Sequence, residues 1–191
     1  MANIYCAGPL FNPIERQEML AIAAVLERLG HTTFLPQRDG LELSRLESEL
    51  KEEGLSSKDA SLIIDSAIFH LDTYRLLSWS DAVVANLNGR VPDEGTIVEA
   101  TLAWLSGKAL VLYKCDSRGP FFGRDNPMLT GLTNFRTISR IEALGDELKK
   151  QLGIERSSRI TMAMDIGARI AKAKETGELH TDLARFMKEL V

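Results

Sequence analysis

Asp81-Ala82-Val83-Val84-Ala85-Asn86-Leu87 is the clearest buried strand in the chain. It is apolar with almost no alternation, which is what a strand covered on both faces requires. The loop Asn88 to Glu94 follows. A helical pattern then runs to roughly Ser106 and is ended by Gly107. Ala109 to Tyr113 is a second apolar run of the same kind. Upstream, Ile4 to Ala7 is a third, and it stops abruptly at Gly8-Pro9. Asn12-Pro13 has the form of a helix start, with Asn as the N-cap and Pro in the first helical position. Met19, Leu20, Ala23, Leu26 and Leu29 then recur at helical spacing before Gly30. Thr32 to Leu35 is β-rich and closes at Pro36, so the opening reads as a βαβ unit.

The remaining segments extend this pattern. Residues 37–56 are polar and predict a loop and a short amphipathic helix, roughly Leu41 to Glu52. Ser57 to Leu77 is a longer helical pattern, and Cys115 to Thr133 is a loop rich in Gly, Pro, Asp and Asn. Phe135 to Ile138 reads as a last short strand. Ser139 to Leu152 and Ser157 to Lys174 read as helices, with a final short helix after Gly177. The expected architecture is α/β: a doubly wound, flavodoxin-like (Rossmann-like) parallel sheet of about five strands with helices on both faces. Residues 1–150 form this domain, and residues 151–191 form a helical C-terminal extension.

Bulk properties exclude several classes. A chain of 191 residues suits one compact domain, and 45% apolar with 26% charged residues is ordinary globular composition. The 23 Lys plus Arg against 27 Asp plus Glu give a net charge of −4, the wrong sign for a nucleic acid polymer as partner. No apolar run approaches the ~20 residues of a membrane span. Met1-Ala2-Asn3-Ile4-Tyr5 lacks the form of a secretory signal, so a cytoplasmic protein is expected. Cys6 and Cys115 read as free thiols. His31, His70 and His180 show no metal-ligand spacing, so no metal is expected. Ala7-Gly8-Pro9-Leu10-Phe11-Asn12 matches neither a dinucleotide nor a P-loop fingerprint, and no cofactor is expected.

Ligands of such sheets bind beyond the carboxyl ends of the strands. The loop after Leu87 is the most informative: Pro92-Asp93-Glu94-Gly95-Thr96-Ile97-Val98-Glu99 sets acids in the loop and the first turns of a helix. Asp72 lies upstream near the end of the preceding helix. Crowded carboxylates raise at least one pKa, which keeps an acid available near neutral pH, while an ionised partner can attack an electrophilic carbon. A plainer reading competes: Thr96-x-x-Glu99 is also a capping-box pattern, in which Glu99 only serves the helix terminus. Singly, Tyr5 is a core aromatic, Gln37 an exposed loop residue and Met128 core filler.

Jointly, Ile4 to Phe11, Asp72, Asp81 to Gly89, Pro92 to Ala100 and Gly107-Lys108 resemble the nucleoside 2-deoxyribosyltransferase family in order and spacing, over roughly residues 4–130. The resemblance implies that Glu99 is the nucleophile, that Tyr5 orients it, that Asp93 binds the sugar and that Asp72 contacts the base and aids proton transfer. Gln37 matches a base-binding position, and Gly8, Asn88 and Gly95 join the substrate-binding set. Asn126 and Met128 resemble an element that a neighbouring subunit inserts into the site, with Pro127 departing from the usual apolar residue between them. The implied partners are a 2′-deoxynucleoside and a free nucleobase, in a homo-oligomer with shared active sites. The implied reaction passes through an oxocarbenium-like transition state to a covalent 2-deoxyribosyl-glutamate. Two alternatives stay open: a deoxynucleoside 5′-monophosphate N-glycosidase of the same superfamily, which hands the sugar to water, and a nucleoside-binding module without turnover.

Overall fold

The computed structural model describes residues 1–119, 123–154 and 159–176. Phe121, Phe122, Ser157, His180 and the short helix expected after Gly177 lie outside the described residues. The chain divides into two compact units, Met1–Ile154 and Glu155–Val191.

The first unit opens with β1 (Asn3–Ala7), α1 (Pro13–Arg28), β2 (Thr32–Phe34), the one-turn α2 (Pro36–Asp39), α3 (Leu43–Glu52) and α4 (Ser57–Tyr74). A π-helical turn, Arg75–Trp79, leads into β3 (Ala82–Asn86), α5 (Glu94–Leu105) and β4 (Ala109–Tyr113). The one-turn α6 (Pro127–Thr130) and α7 (Leu144–Leu152) close the unit. In the second unit the described helix is α8 (Arg159–Glu175). No helix among the described residues is long and apolar enough to cross a membrane.

The sheet is parallel throughout, in the order β2-β1-β3-β4. Side chains alternate across it, and both faces are covered. Ile4, Cys6, Val84 and Val111 pack with Met19, Ile22 and Leu26 of α1 and with Leu144 and Leu148 of α7. Tyr5, Ala7, Val83, Ala85, Leu110 and Leu112 pack on the other face with Leu76, Ala100 and Ala103. Two covered faces are why Ala82–Leu87 shows no polar alternation.

The sheet has four strands, where the sequence suggests about five. Phe135 to Ile138 contributes one parallel bridge, Ile138 opposite Tyr113. Its bonds are Ile138 N–H to the Leu112 carbonyl and Lys114 N–H to the Ile138 carbonyl, both 2.9 Å. Asn134 and Phe135 have φ of +52° and +62°, so the chain is still turning where the strand was expected to start. L-residues avoid this region, and a run of them cannot continue as a strand.

The start of α1 follows its sequence signature. The Asn12 side chain accepts from the Ile14 and Glu15 amides at 3.0 Å, and Glu15 accepts from the Asn12 amide at 3.2 Å. This closes a capping box with Pro13 in the first position. Asn12→Ala should therefore lower stability by about 0.5–2 kcal/mol in denaturant unfolding. An unchanged midpoint would contradict a capping role.

Candidate active site

Tyr5 sits mid-strand in β1, fully buried, on the sheet face that α5 covers. Its hydroxyl donates to Glu99 Oε1 at 2.5 Å. Glu99 reaches this position because α5 begins where it does. Asp93 is the N-cap: its Oδ2 accepts from the Thr96 amide at 2.8 Å and from the Thr96 hydroxyl at 2.9 Å. Thr96, Ala100 and Ala103 then face the core at helical spacing, and Glu99 lies on the edge of that face. The capping box Thr96-x-x-Glu99 is thereby corrected. Thr96 is inside the helix rather than its cap, and Glu99 turns to Tyr5 instead of the helix terminus. Gly95 leaves room for this cap, since a Cβ there would stand 3.2 Å from Asp93 Oδ2.

The electrostatics follow from burial and from like charges. Glu99 is pushed up to about 7, first by burial and further by the negative charges of Asp72 and Asp93, while the Tyr5 hydrogen bond pulls it down. Asp72, half-buried on α4, is pushed up to about 6 by burial. Burial, and then the carboxylates of Glu99 and Asp72, drive the Tyr5 phenol far above its ordinary range, so it stays a neutral donor. Two carboxyl groups thus change protonation near neutral pH, and the charge of Asp72 raises Glu99 further.

The other expected residues make the following contacts within the chain. Asn88 Oδ1 accepts from the Cys115 and Asp116 amides at 2.8 and 3.0 Å, and its Nδ2 donates to Glu18, so it clasps the loops after β3 and β4 together. Gly8 packs so closely on Met19 that a Cβ would fall 2.3 Å from its sulfur. Gln37 donates to the Arg16 carbonyl at 2.8 Å, and its Oε1 is buried without a partner. Asn126 caps α6 through the Met128 amide at 2.9 Å, while Met128 is 83% exposed. The structure therefore brings Tyr5, Asp72, Asp93 and Glu99 together, and leaves Asn126 and Met128 outward-facing on a separate segment. A pocket of about 460 Å³ opens on that segment, lined by Arg124, Asp125, Pro127, Thr130, Phe135 and Thr137.

Three neighbours of the site carry no signal in the sequence. Phe34 stacks on Tyr5 with ring centroids 5.6 Å apart, Trp79 meets Phe34 edge-on at 6.3 Å, and Arg75 lies over Phe34. Phe34 pairs with Tyr5 across the two strands, a relation visible only once the register is known.

A parallel α/β sheet here seats neighbouring carboxyl groups against a buried tyrosine toward its carboxyl edge, where ligands of such sheets bind. Residues 4–128 match the model of the nucleoside 2-deoxyribosyltransferase family, and the chain belongs to that family. Among solved structures it is similar to a 2-deoxyribosyltransferase from the psychrotolerant bacterium Bacillus psychrosaccharolyticus, at 25% identity and a TM-score of 0.51, covering 68% of this chain and 81% of that one. It is also similar to a conserved protein from Enterococcus faecalis V583, at 25% identity and a TM-score of 0.58, covering 79% of this chain and 99% of that one. No curated protein matches the chain significantly.

The weakened acidity of Glu99 has a stability signature. Between an ordinary 4.5 and about 7 the folded protein holds a proton that the unfolded chain has released. Stability therefore falls as pH rises through that window. Glu99→Gln removes the penalty, so the variant should gain on the wild type from pH 5 to 8, by roughly 3 kcal/mol at most. Parallel stability curves for the two proteins would show that Glu99 is not perturbed.

Proposed function

We propose that the protein exchanges the base of a 2′-deoxynucleoside, with Glu99 as nucleophile. The observation that carries this reading is the 2.5 Å hydrogen bond from a buried tyrosine to a carboxylate that ionises near neutral pH. In the first half-reaction a Glu99 oxygen bonds to C1′ while the C1′–N bond breaks. The base leaves with the bond's electrons and takes a proton from Asp72. The product is a 2-deoxyribosyl ester of Glu99 plus free base. In the second, an incoming base attacks C1′, gives its proton to Asp72, and releases Glu99 as the carboxylate. A 2-deoxyribosyl centre lacks the electron-withdrawing 2′-hydroxyl, so its cationic transition state gains strongly from a carboxylate beneath the ring. Tyr5 holds the attacking oxygen in place, and its donated bond keeps Glu99 ionised at lower pH than burial alone would allow.

Asp93 is assigned to the sugar, and its position supports a nucleoside rather than a nucleotide. A 5′-phosphate brings nearly two negative charges. Set among Asp72, Asp93 and Glu99 it would be repelled, more strongly in a cleft than in open water. Exchange assays with a deoxynucleoside donor and a free acceptor base test the reading. Glu99→Ala should lower exchange by several orders of magnitude with the fold intact. A variant near wild-type turnover would overturn the nucleophile, and release of free sugar from the monophosphate in preference to exchange would favour the hydrolytic relative.

The same reading makes the protein a cytoplasmic homo-oligomer in which Asn126 and Met128 complete a neighbour's site, with Gln37 assigned to the base once it leaves the Arg16 carbonyl. Two features support it. Met128 and Phe135 stand 83% and 72% exposed on one segment. That segment is anchored from inside by the buried Lys114–Asp125 ion pair at 2.5 Å and by buried Leu129, while Met128 and Phe135 point outward. Inactive Glu99→Ala and Asn126→Ala proteins, mixed under conditions that exchange subunits, should recover part of the activity, because some mixed interfaces regain one intact site. No recovery despite proven exchange would contradict shared sites.

A further inference from the structure

Arg75 has no place in the family pattern or in the mechanism above, yet it is set against the site's central bond. It opens the π-helical turn Arg75–Trp79, one helical turn beyond Asp72. A π turn widens the helix and re-aims the side chains on it, and such turns recur at functional sites. The guanidinium carbon lies 5.1 Å from the centroid of Phe34, 5.3 Å from that of Trp79 and 6.0 Å from that of Tyr74. Its Nε is buried without a hydrogen-bond partner. A buried N–H left unpaired is costly, so packing on the rings, rather than hydrogen bonding at Nε, must hold this group in place.

The contacts run in series. Arg75 covers one face of Phe34, and Phe34 stacks on Tyr5 with an interplanar angle of 29°. Tyr5 then donates to Glu99 at 2.5 Å. The χ1 torsion of a tyrosine places its phenol oxygen, and χ2 sets the ring plane in which the O–H prefers to lie; a neighbour stacked on the ring restrains both. We propose that Arg75 is a positioning residue: packed on Phe34, it clamps that ring against Tyr5 and so fixes the Tyr5 hydroxyl on Glu99. The inference extends the catalytic assignment of Glu99 and Tyr5, but its readout does not require any particular reaction.

The charged and titratable groups around these contacts are few and can be tracked. Glu99 faces Tyr5 from β1, Asp72 from α4 and Asp93 from the start of its own helix. Arg75 faces Tyr74 on α4 and Asp39 on α2. Asp39 is held below its ordinary range by Arg38 and the Leu35 amide against the effect of burial, with Arg75 adding to the lowering.

The test is titration of the Glu99 carboxyl by carbon-13 NMR on the substrate-free full chain, in a double-mutant cycle. Arg75→Met should loosen the Tyr5 bond and raise the Glu99 midpoint by about half a pH unit, since one unit corresponds to a tenfold change in the equilibrium. Phe34→Leu, which leaves the arginine but removes the ring between, should give a shift of the same sign. In a Tyr5→Phe background, where the Glu99 midpoint is already raised, Arg75→Met should add nothing. An equal shift in both backgrounds would overturn the proposal, because the arginine's charge would then be acting on Glu99 directly. Absence of a shift when Arg75→Met is made in the otherwise wild-type chain would overturn it too. Should Arg75→Met fail to fold, Arg75→Lys, which keeps the charge but loses the planar stacking surface, must show the upward shift. A shift without base exchange would leave the positioning role standing and count against the proposed reaction instead.

Discussion

The bond from the Tyr5 hydroxyl to Glu99 is the constraint on which the rest of the site depends. A carboxylate on the inner edge of a helix, against a sheet, is unfavourable in its charged form unless a donor meets it. Tyr5 can be that donor only because β1 lies inside the sheet, between β2 and β3, where a strand residue is covered on both sides. Glu99 can be the acceptor only because α5 starts at Asp93, which sets the phase of every residue after it. Start the helix one residue later and Glu99 rotates by about 100° away from the sheet.

The same arrangement divides labour among the acids. Asp93 spends one oxygen on capping α5 and, with Asp72, adds negative charge near Glu99. Burial first, and that field with it, keeps a proton on Glu99 near neutral pH, and ionised acids here favour a centre that becomes positive. The scaffold beyond the acids is occupied with holding loops. Asn88 joins the loops after β3 and β4, and the Lys114–Asp125 pair ties down the segment that carries Asn126 and Met128.

Much of this was legible in the sequence because it is local. Ala82–Leu87 and Ala109–Tyr113 are apolar enough to need two covers, and Asn12-Pro13 carries its own helix start. Glu99 could be singled out from its loop, but the sequence also allowed it to serve as a cap. The choice depended on Tyr5, which is distant in the chain. What the sequence did not show is tertiary in origin. The end of α4 as a π turn, the positive φ at Asn134 and Phe135 that leaves a single bridge in place of a fifth strand, and the stack of Arg75, Phe34 and Tyr5 all arise from packing between separated segments. The hold of Asn88 on the backbone of the next loop is likewise tertiary, because only the β3–β4 pairing brings that backbone near.

The central claim is that Glu99 becomes covalently attached to the sugar. It is tested most directly by acid-quenching the enzyme during turnover of a deoxynucleoside and mapping its peptides by mass spectrometry. The account predicts a mass increase of one 2-deoxyribosyl group on the peptide containing Glu99, discharged when an acceptor base is added before the quench. Turnover at full rate with that peptide unmodified, or with the adduct on another residue, would contradict it.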